Sequence, residues 1–366
     1  MDRVFNFSAG TAMLPKEVLD RARAEMLSYG RSGSSIMELS SDSPELAEIL
    51  QSTEDALRRL LSIPANYKIL FLQGGSAAQF SAVPLNLLSE RRCADYIISG
   101  KQSKVAYTEA KRYGDMVIAA SSGAASPTFS TIPVTKRSDF RPDADYVHIC
   151  YNNTLYGTKY HYIPDTGNIP LVADMSSCLC SEPVDVSKFG MIYADLQQNI
   201  APVGLTAVVV RSDLMGNTRP DTPSTLNYKR ILGDDDVNCT PPGWALYLAG
   251  LVFEWIISIG GLDEMKRRNE RKASLLYDYL DGQTYFTAPV DKKCRSMMNV
   301  VFYIGDARLD KKFCDEAAAE GLINLIAPQQ IGGMCASMYN AMPYEGVERL
   351  VAFMKSFAAS NPKIQR

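Results

Sequence analysis

The chain has 366 residues, 46% of them hydrophobic and 22% charged, and carries a formal net charge of -3. That balance excludes a strongly basic nucleic-acid-binding surface, and no run reaches the roughly 18 uninterrupted apolar residues of a membrane span. The N-terminal MDRVFNFSAG lacks a basic stretch followed by an apolar run, and the eight cysteines form neither a disulfide scaffold nor a paired zinc motif. With only His148 and His161 as histidines, the expectation is a cytoplasmic protein with reduced thiols and no metal, whose partners are neither nucleic acid nor membrane.

From about residue 68 short apolar runs alternate with amphipathic stretches. KILFL is followed by a helix through Ser81–Leu88, DYIIS by a helix around Val105–Tyr113, and then come MVIAA, YVHIC, LVAD, MIYAD and TAVVV. Apolar runs bounded by Gly, Pro and Asp predict parallel strands with crossover helices around a buried sheet, in which ligands bind at the carboxyl ends of strands. The Pro- and Asp-rich stretch within 215–245 reads as a loop. After it come a helical pattern over ALYLAGLVFEWIISIGGL and a helix through Met265–Leu280. The run MNVVFYI, a helix over Lys311–Glu320, the pair Gly332 and Gly333, the run MCASMY and a last helix from Gly346 to Phe357 then make a smaller α+β unit.

In KILFLQGGSAAQF a strand runs into Gly74-Gly75-Ser76-Ala77 and at once into a helix. Free backbone N–H groups and a helix dipole then face one point, which suits an anion, although a plain tight turn would read the same way. Asp174, at the end of LVAD, reads either as a functional carboxylate or as a strand-end cap of the SSC turn. Cys178 and Cys180 alternate along an extended stretch and read as packing residues.

The motifs NFSAG, GSSIMELS, FLQGGSAAQF, EAKRYGD, NNTLYGT, LVADMSS, PVDVSKFG, TPSTLNY, TPP, GLVFEW and IGGMCASMYNAMP occur in one order along nearly the whole chain. With them the chain resembles the phosphoserine aminotransferases. The resemblance implies an α/β, fold-type I pyridoxal-phosphate (PLP) architecture: a large domain with a mostly parallel sheet sandwiched by helices, plus a smaller C-terminal α+β domain. It implies boundaries at 1–15 for an N-terminal segment packing with the small domain, 16–260 for the large domain and 261–366 for the small one. It further implies a homodimer with active sites between subunits, and descent from an enzyme that moves an amino group between glutamate and 3-phosphohydroxypyruvate.

By the same resemblance, Ser76 and Ala77 match the phosphate cup, Thr154 the threonine near the ring hydroxyl, and Asp174 the carboxylate facing the pyridine nitrogen. Gln197 and Thr240 match phosphate contacts, Thr240 from the partner subunit. Other positions depart from the family pattern. Gln198 stands where the family keeps its Schiff-base lysine, next to Asp195 and Leu196 in place of small residues. Gln102 replaces the stacking aromatic, and Cys239 an asparagine phosphate donor. The family's substrate clamp, two His-Arg pairs and a further arginine, is replaced by Ser41 and Asp42, by Pro328 and Gln329, and by Cys335.

A carboxamide forms no imine and does not titrate, so Gln198 removes both covalent catalysis and a general base worth roughly 10²–10⁴-fold. Losing three arginine contacts costs about 1.5–3 kcal/mol each, comparable with the whole of a micromolar affinity. The sequence reading is therefore a family member that is not an ordinary aminotransferase, a pseudoenzyme binding an unidentified ligand or partner, with PLP held noncovalently at most or absent. One alternative is a rebuilt enzyme whose polar pocket is lined by Asp42, Asp195, Cys239, Cys335, Gln102 and Gln198. The other is a phosphoserine:2-oxoglutarate aminotransferase of serine biosynthesis, with a neighbouring amine such as Lys101 replacing the lost one.

Overall fold

The structure is a computed structural model in which residues 3–233, 240–328 and 331–363 are described. Seven strands form its main sheet: β1 (Tyr67–Leu72), β2 (Cys93–Ile98), β3 (Asp115–Ser121), β4 (Val147–Cys150), β5 (Leu171–Asp174), β6 (Met191–Asp195) and β7 (Thr206–Arg211). They lie in the order β1-β7-β6-β5-β4-β2-β3. Every residue of β4, β5 and β6 is buried, which is why these segments read as continuous apolar runs rather than alternating ones.

The pairs among β3, β2, β4, β5 and β6 are parallel, as the sequence predicts. Strand β7 differs, running antiparallel to both β6 and β1. The connection 196–205 between β6 and β7 holds only a short 3-10 turn, and a parallel return needs a crossover of a dozen or more residues, so the chain doubles back.

Alternate residues of β1 serve the two faces of the sheet. Leu70 and Leu72 belong to the core under the helices Gly75–Leu87 and Lys101–Ala110, with Phe80, Val83 and Ala106. Ile69 and Phe71 belong to the opposite core, with Leu57, Leu246 and Phe253. Burying each such side chain stabilises the fold by roughly 1.5–3 kcal/mol. The helix Gly243–Ser258 is apolar all round because it lies inside this second core. It packs on the helix Pro44–Leu60 closely enough that a Cβ at Gly250 would come within 2.6 Å of Thr53 Oγ1. Among the described residues no single helix is long and apolar enough to cross a membrane.

The C-terminal unit pairs the strands Asn299–Phe302 and Met334–Ser337 antiparallel. The helices Gly261–Asp281, Ala307–Ala319 and Tyr344–Ser360 surround them, and Phe286, Phe302, Phe313 and Phe357 stack edge to face between. Phe5–Asn6 adds a short parallel pairing to Leu322–Ile323. The stretch read as a loop contains a short helix, Tyr228–Gly233, fastened by Tyr228 Oη donating to Gln79 Oε1 at 2.6 Å.

Candidate functional site

Strand register decides which residues meet at the carboxyl end of the sheet. Thr206, the first residue of β7, pairs with Leu72 on one side and with Asp195 on the other. The last residues of β1 and β6 therefore stand level, two strand spacings or about 9.5 Å apart. After Leu72 the chain turns through Gly74 and Gly75, both at positive φ (101° and 64°), into the helix Gly75–Leu87. The start of that helix thus opens beside Asp195. Positive φ is why glycine is needed at both positions.

Asp195 reaches across this gap. A Cβ placed on Gly75 would lie 3.0 Å from Asp195 Oδ2. The carboxylate accepts the Nε2 of Gln197 at 2.8 Å and, at 3.4 Å, the backbone N–H of Gln197, and the backbone N–H of Ser76 lies near enough to act on it. Burial raises its pKa, opposed by the Gln197 side chain and by the backbone N–H groups of Gln197 and Ser76. Of the four residues assigned by resemblance to a cofactor phosphate, Ser76, Ala77, Gln197 and Thr240, Gln197 is engaged by a side chain of the protein itself and Ser76 stands beside the same carboxylate. Ala77 is exposed on the first turn of the helix, and the carbonyl of Thr240 accepts Gln73 Nε2 at 2.9 Å.

One strand over, Asp174 ends β5 and is buried. Burial lifts its pKa to about 6, against hydrogen bonds from the hydroxyl and backbone N–H of Ser176 and from Tyr193, and the neighbouring Asp195 adds to the rise. The Ser176 hydroxyl donates to Asp174 Oδ1 at 2.6 Å and accepts the backbone N–H of Asp195 at 3.0 Å, so one side chain ties two strand ends together. Behind Asp174, Tyr193 Oη meets His148 Nε2 at 2.9 Å. Burial pushes His148 down to about 3, so it is a neutral core histidine.

Gln198 closes a short 3-10 turn after Asp195. Its Cγ lies 3.6 Å from where a Cβ on Gly10 would be, and Ala12 donates its backbone N–H to Gln197 O at 3.2 Å, so the N-terminal segment covers this turn. The Oε1 of Gln198 is buried without a hydrogen-bond partner. Two buried amines are committed elsewhere. Lys159 is ion-paired with Glu182, and Lys272 donates to the carbonyls of Met338 and Tyr339 at 2.9 and 2.7 Å. Lys101 is exposed at the start of its helix, beside the half-buried Gln102.

The remaining candidates are not drawn into the Asp174–Asp195 cluster by any described hydrogen bond. Ser41 and Asp42 occupy an exposed turn, where Ser41 Oγ donates to Asp42 Oδ1 at 3.1 Å. Pro328 is exposed, and Thr154 is half-buried with its carbonyl accepting Cys335 Sγ at 3.7 Å. Burial pushes the Cys335 thiol up to about 11, opposed by a contact with Ser337, which is the behaviour of a packing thiol rather than a nucleophile. Cys178 and Cys180 are buried, their thiols also raised by burial. Cys239 and Gln329 lie outside the described residues. Among the described residues no group of side chains could hold a metal ion.

As arranged, these residues do not fit a phosphorylated, imine-linked cofactor. Asp195 engages the Gln197 side chain and stands against Gly75 at the helix start, and the position that the family resemblance assigns to the imine holds Gln198. Sequence reasoning placed Asp195 in the pocket but missed its reach into the cup, and missed the bridging Ser176. The Asp at the last position of an apolar run, one turn from a Gly-Gly helix start two strands away, was the available signal.

The aminotransferase class-V family profile matches residues 4–350. The phosphoserine aminotransferase of Laribacter hongkongensis is 48% identical over 356 residues, covering 97% of this chain and 98% of that protein. The structure of the phosphoserine aminotransferase from Bacillus circulans subsp. alkalophilus superposes with a TM-score of 0.94 at 38% identity, covering 98% and 99% of the two chains. The PLP-bound phosphoserine aminotransferase from Trichomonas vaginalis gives 0.89 at 35% identity, covering 96% and 100%. Identity of this degree along essentially the whole length places the chain in the phosphoserine aminotransferase family of class-V aminotransferases.

Proposed function

We propose that this chain is a phosphoserine aminotransferase homologue that does not transaminate and instead binds a small ligand in the inherited cleft. Gln198 carries the reading. Transamination through PLP needs an amine to form the imine and to move the α-proton, and a carboxamide supplies neither. The substrate clamp is altered in the same sense, since Ser41, Asp42, Pro328 and Cys335 include no cation with which to hold a phosphate or a carboxylate. We further propose that the chain forms a homodimer, as the family resemblance implies.

The test is to add PLP to the purified protein and look for a visible absorption band that survives dialysis and disappears on borohydride treatment. We expect none, and no glutamate-dependent conversion of 3-phosphohydroxypyruvate. A retained, reducible adduct with turnover would sink the proposal.

A second reading, a phosphoserine:2-oxoglutarate aminotransferase, is favoured by the names of the relatives at 48% identity. It requires a substitute amine, for which Lys101, exposed beside Gln102, is the candidate. If turnover is found, Lys101→Met should abolish it.

A further inference from the structure

We propose that Asp195 is a built-in substitute for a cofactor phosphate, and that it makes this cleft reject phosphorylated ligands, PLP included. The argument starts from what a phosphate cup supplies, namely donors aimed at one point by a tight glycine turn and a helix start. Such donors must be matched by an anion, by water or by the protein, since polar groups left unmatched are costly. Here the Nε2 of Gln197 and, at 3.4 Å, its backbone N–H turn to one carboxylate, which also lies against Gly75 at the helix start, close to the backbone N–H of Ser76. Asp195 is only 7% exposed and sits against Gly75, where a ligand's phosphate oxygens would have to come.

Three observations support this placement independently of the missing lysine. The register Thr206↔Leu72 and Thr206↔Asp195 brings the strand end and the helix start level, so Asp195 reaches the cup from a regular strand position. Ser176 fixes the Asp195 backbone by accepting its N–H, and Gln197 fixes the carboxylate, so the side chain is held from both ends. Asp195 stands at the cup and Asp174 is joined to it through Ser176, so a phosphate dianion entering the cup would meet one carboxylate at contact and a second behind it. A phosphorylated ligand would therefore lose the cup's donors and gain repulsion. An uncharged or cationic ligand would lose nothing there.

The inference is separate from the proposed absence of transamination. An imine could fail while PLP still bound noncovalently, and the following experiment distinguishes the two. Binding of PLP, inorganic phosphate and pyridoxal would be measured by calorimetry on the full chain and on Asp195→Ala and Asp195→Asn, each checked for its fold by circular dichroism. We expect no saturable binding of PLP or phosphate to the unmodified chain at millimolar concentration. Both variants should bind PLP and phosphate at least tenfold more tightly, with no gain for pyridoxal, which lacks the phosphate. Micromolar, dialysable PLP binding by the unmodified chain would overturn the inference while leaving the missing imine intact. So would variants that bind phosphate no better than the parent, or a gain as large for pyridoxal as for PLP. Asp195→Asn keeps the size and removes the charge, so a result in that variant does not depend on a cavity left by truncation.

Discussion

The side chain of Gln197 donates to Asp195 Oδ2 at 2.8 Å, turning an amide that the family resemblance assigns to a ligand inward onto the protein's own carboxylate. Asp195 in turn lies over Gly75, and this contact is directly testable. Gly75 has φ 64° and space for a Cβ only at 3.0 Å from Asp195 Oδ2. Gly75→Ala should therefore destabilise the chain by about 1–3 kcal/mol through backbone strain and a displaced carboxylate. In the Asp195→Ala background the same change should cost less, because the contact has gone. Urea unfolding of the four proteins gives the coupling, and equal penalties in both backgrounds would separate Gly75 from Asp195.

Asp174 makes stability depend on pH with a definite sign. Its folded pKa of about 6 lies above the ordinary 3.8, so the folded chain holds this proton more tightly than the unfolded one. Its contribution is present at low pH and is lost as pH rises through the window from 3.8 to about 6, by about 3 kcal/mol at 1.4 kcal/mol per unit. His148, pushed down to about 3 by burial, slopes the other way, with stability falling as pH drops below 6.5. In Asp174→Asn the histidine contribution is unchanged, so the variant should gain on the parent as pH rises from 4 toward 6.5 and then hold its advantage. Parallel stability curves for the two proteins across that range would show that Asp174 is not the source.

Gln198 Oε1 is buried and unpartnered, a condition that costs about 1–3 kcal/mol. Replacing the amide with a thioether of similar length, Gln198→Met, should raise stability by about 1 kcal/mol. In a chain of this size that is a rise of roughly 1–3 °C in Tm. A fall in Tm would mean that the oxygen has a partner in solution.

Restoring the amine should not restore the reaction. In Gln198→Lys an amine stands at the position that the family resemblance assigns to the imine, but Asp195 still holds the Gln197 side chain and no arginine stands at Ser41, Asp42, Pro328 or Cys335. We expect no measurable phosphoserine transamination in this variant by a coupled glutamate assay. Turnover within a hundredfold of an active relative would show that the clamp positions matter less than the lysine.

Much of this was legible in the sequence, and the gaps have physical causes. The seven runs from KILFL to TAVVV are the seven strands of the sheet, because continuous apolar runs bounded by breakers are what buried strands require. Strand direction was not legible, since an apolar run reads the same either way, and only the short 196–205 connection implied that β7 turns back. The helices Lys16–Glu25 and Pro44–Leu60 are not among the elements that apolar periodicity predicts, although Ser43 and Pro44 spell a cap and a first turn. Asp195 could be placed in the pocket by its position after a strand. That it fills the cup depends on β1 and β6 ending level across β7, a relation set by pairing rather than by any residue of its own segment.

The bridge from Asp195 to the helix start also bears on how the protein's stability responds to its surroundings. A chain that needs a ligand to match its donors gains stability as RT ln(1 + [L]/Kd), about 2.7 kcal/mol at a hundredfold excess over Kd, and loses it when the ligand runs short. Here the matching anion is covalently part of the chain, so its effective concentration is fixed by strand geometry. The melting temperature should then be the same in cells rich or poor in PLP, and the protein's abundance uncoupled from cofactor supply.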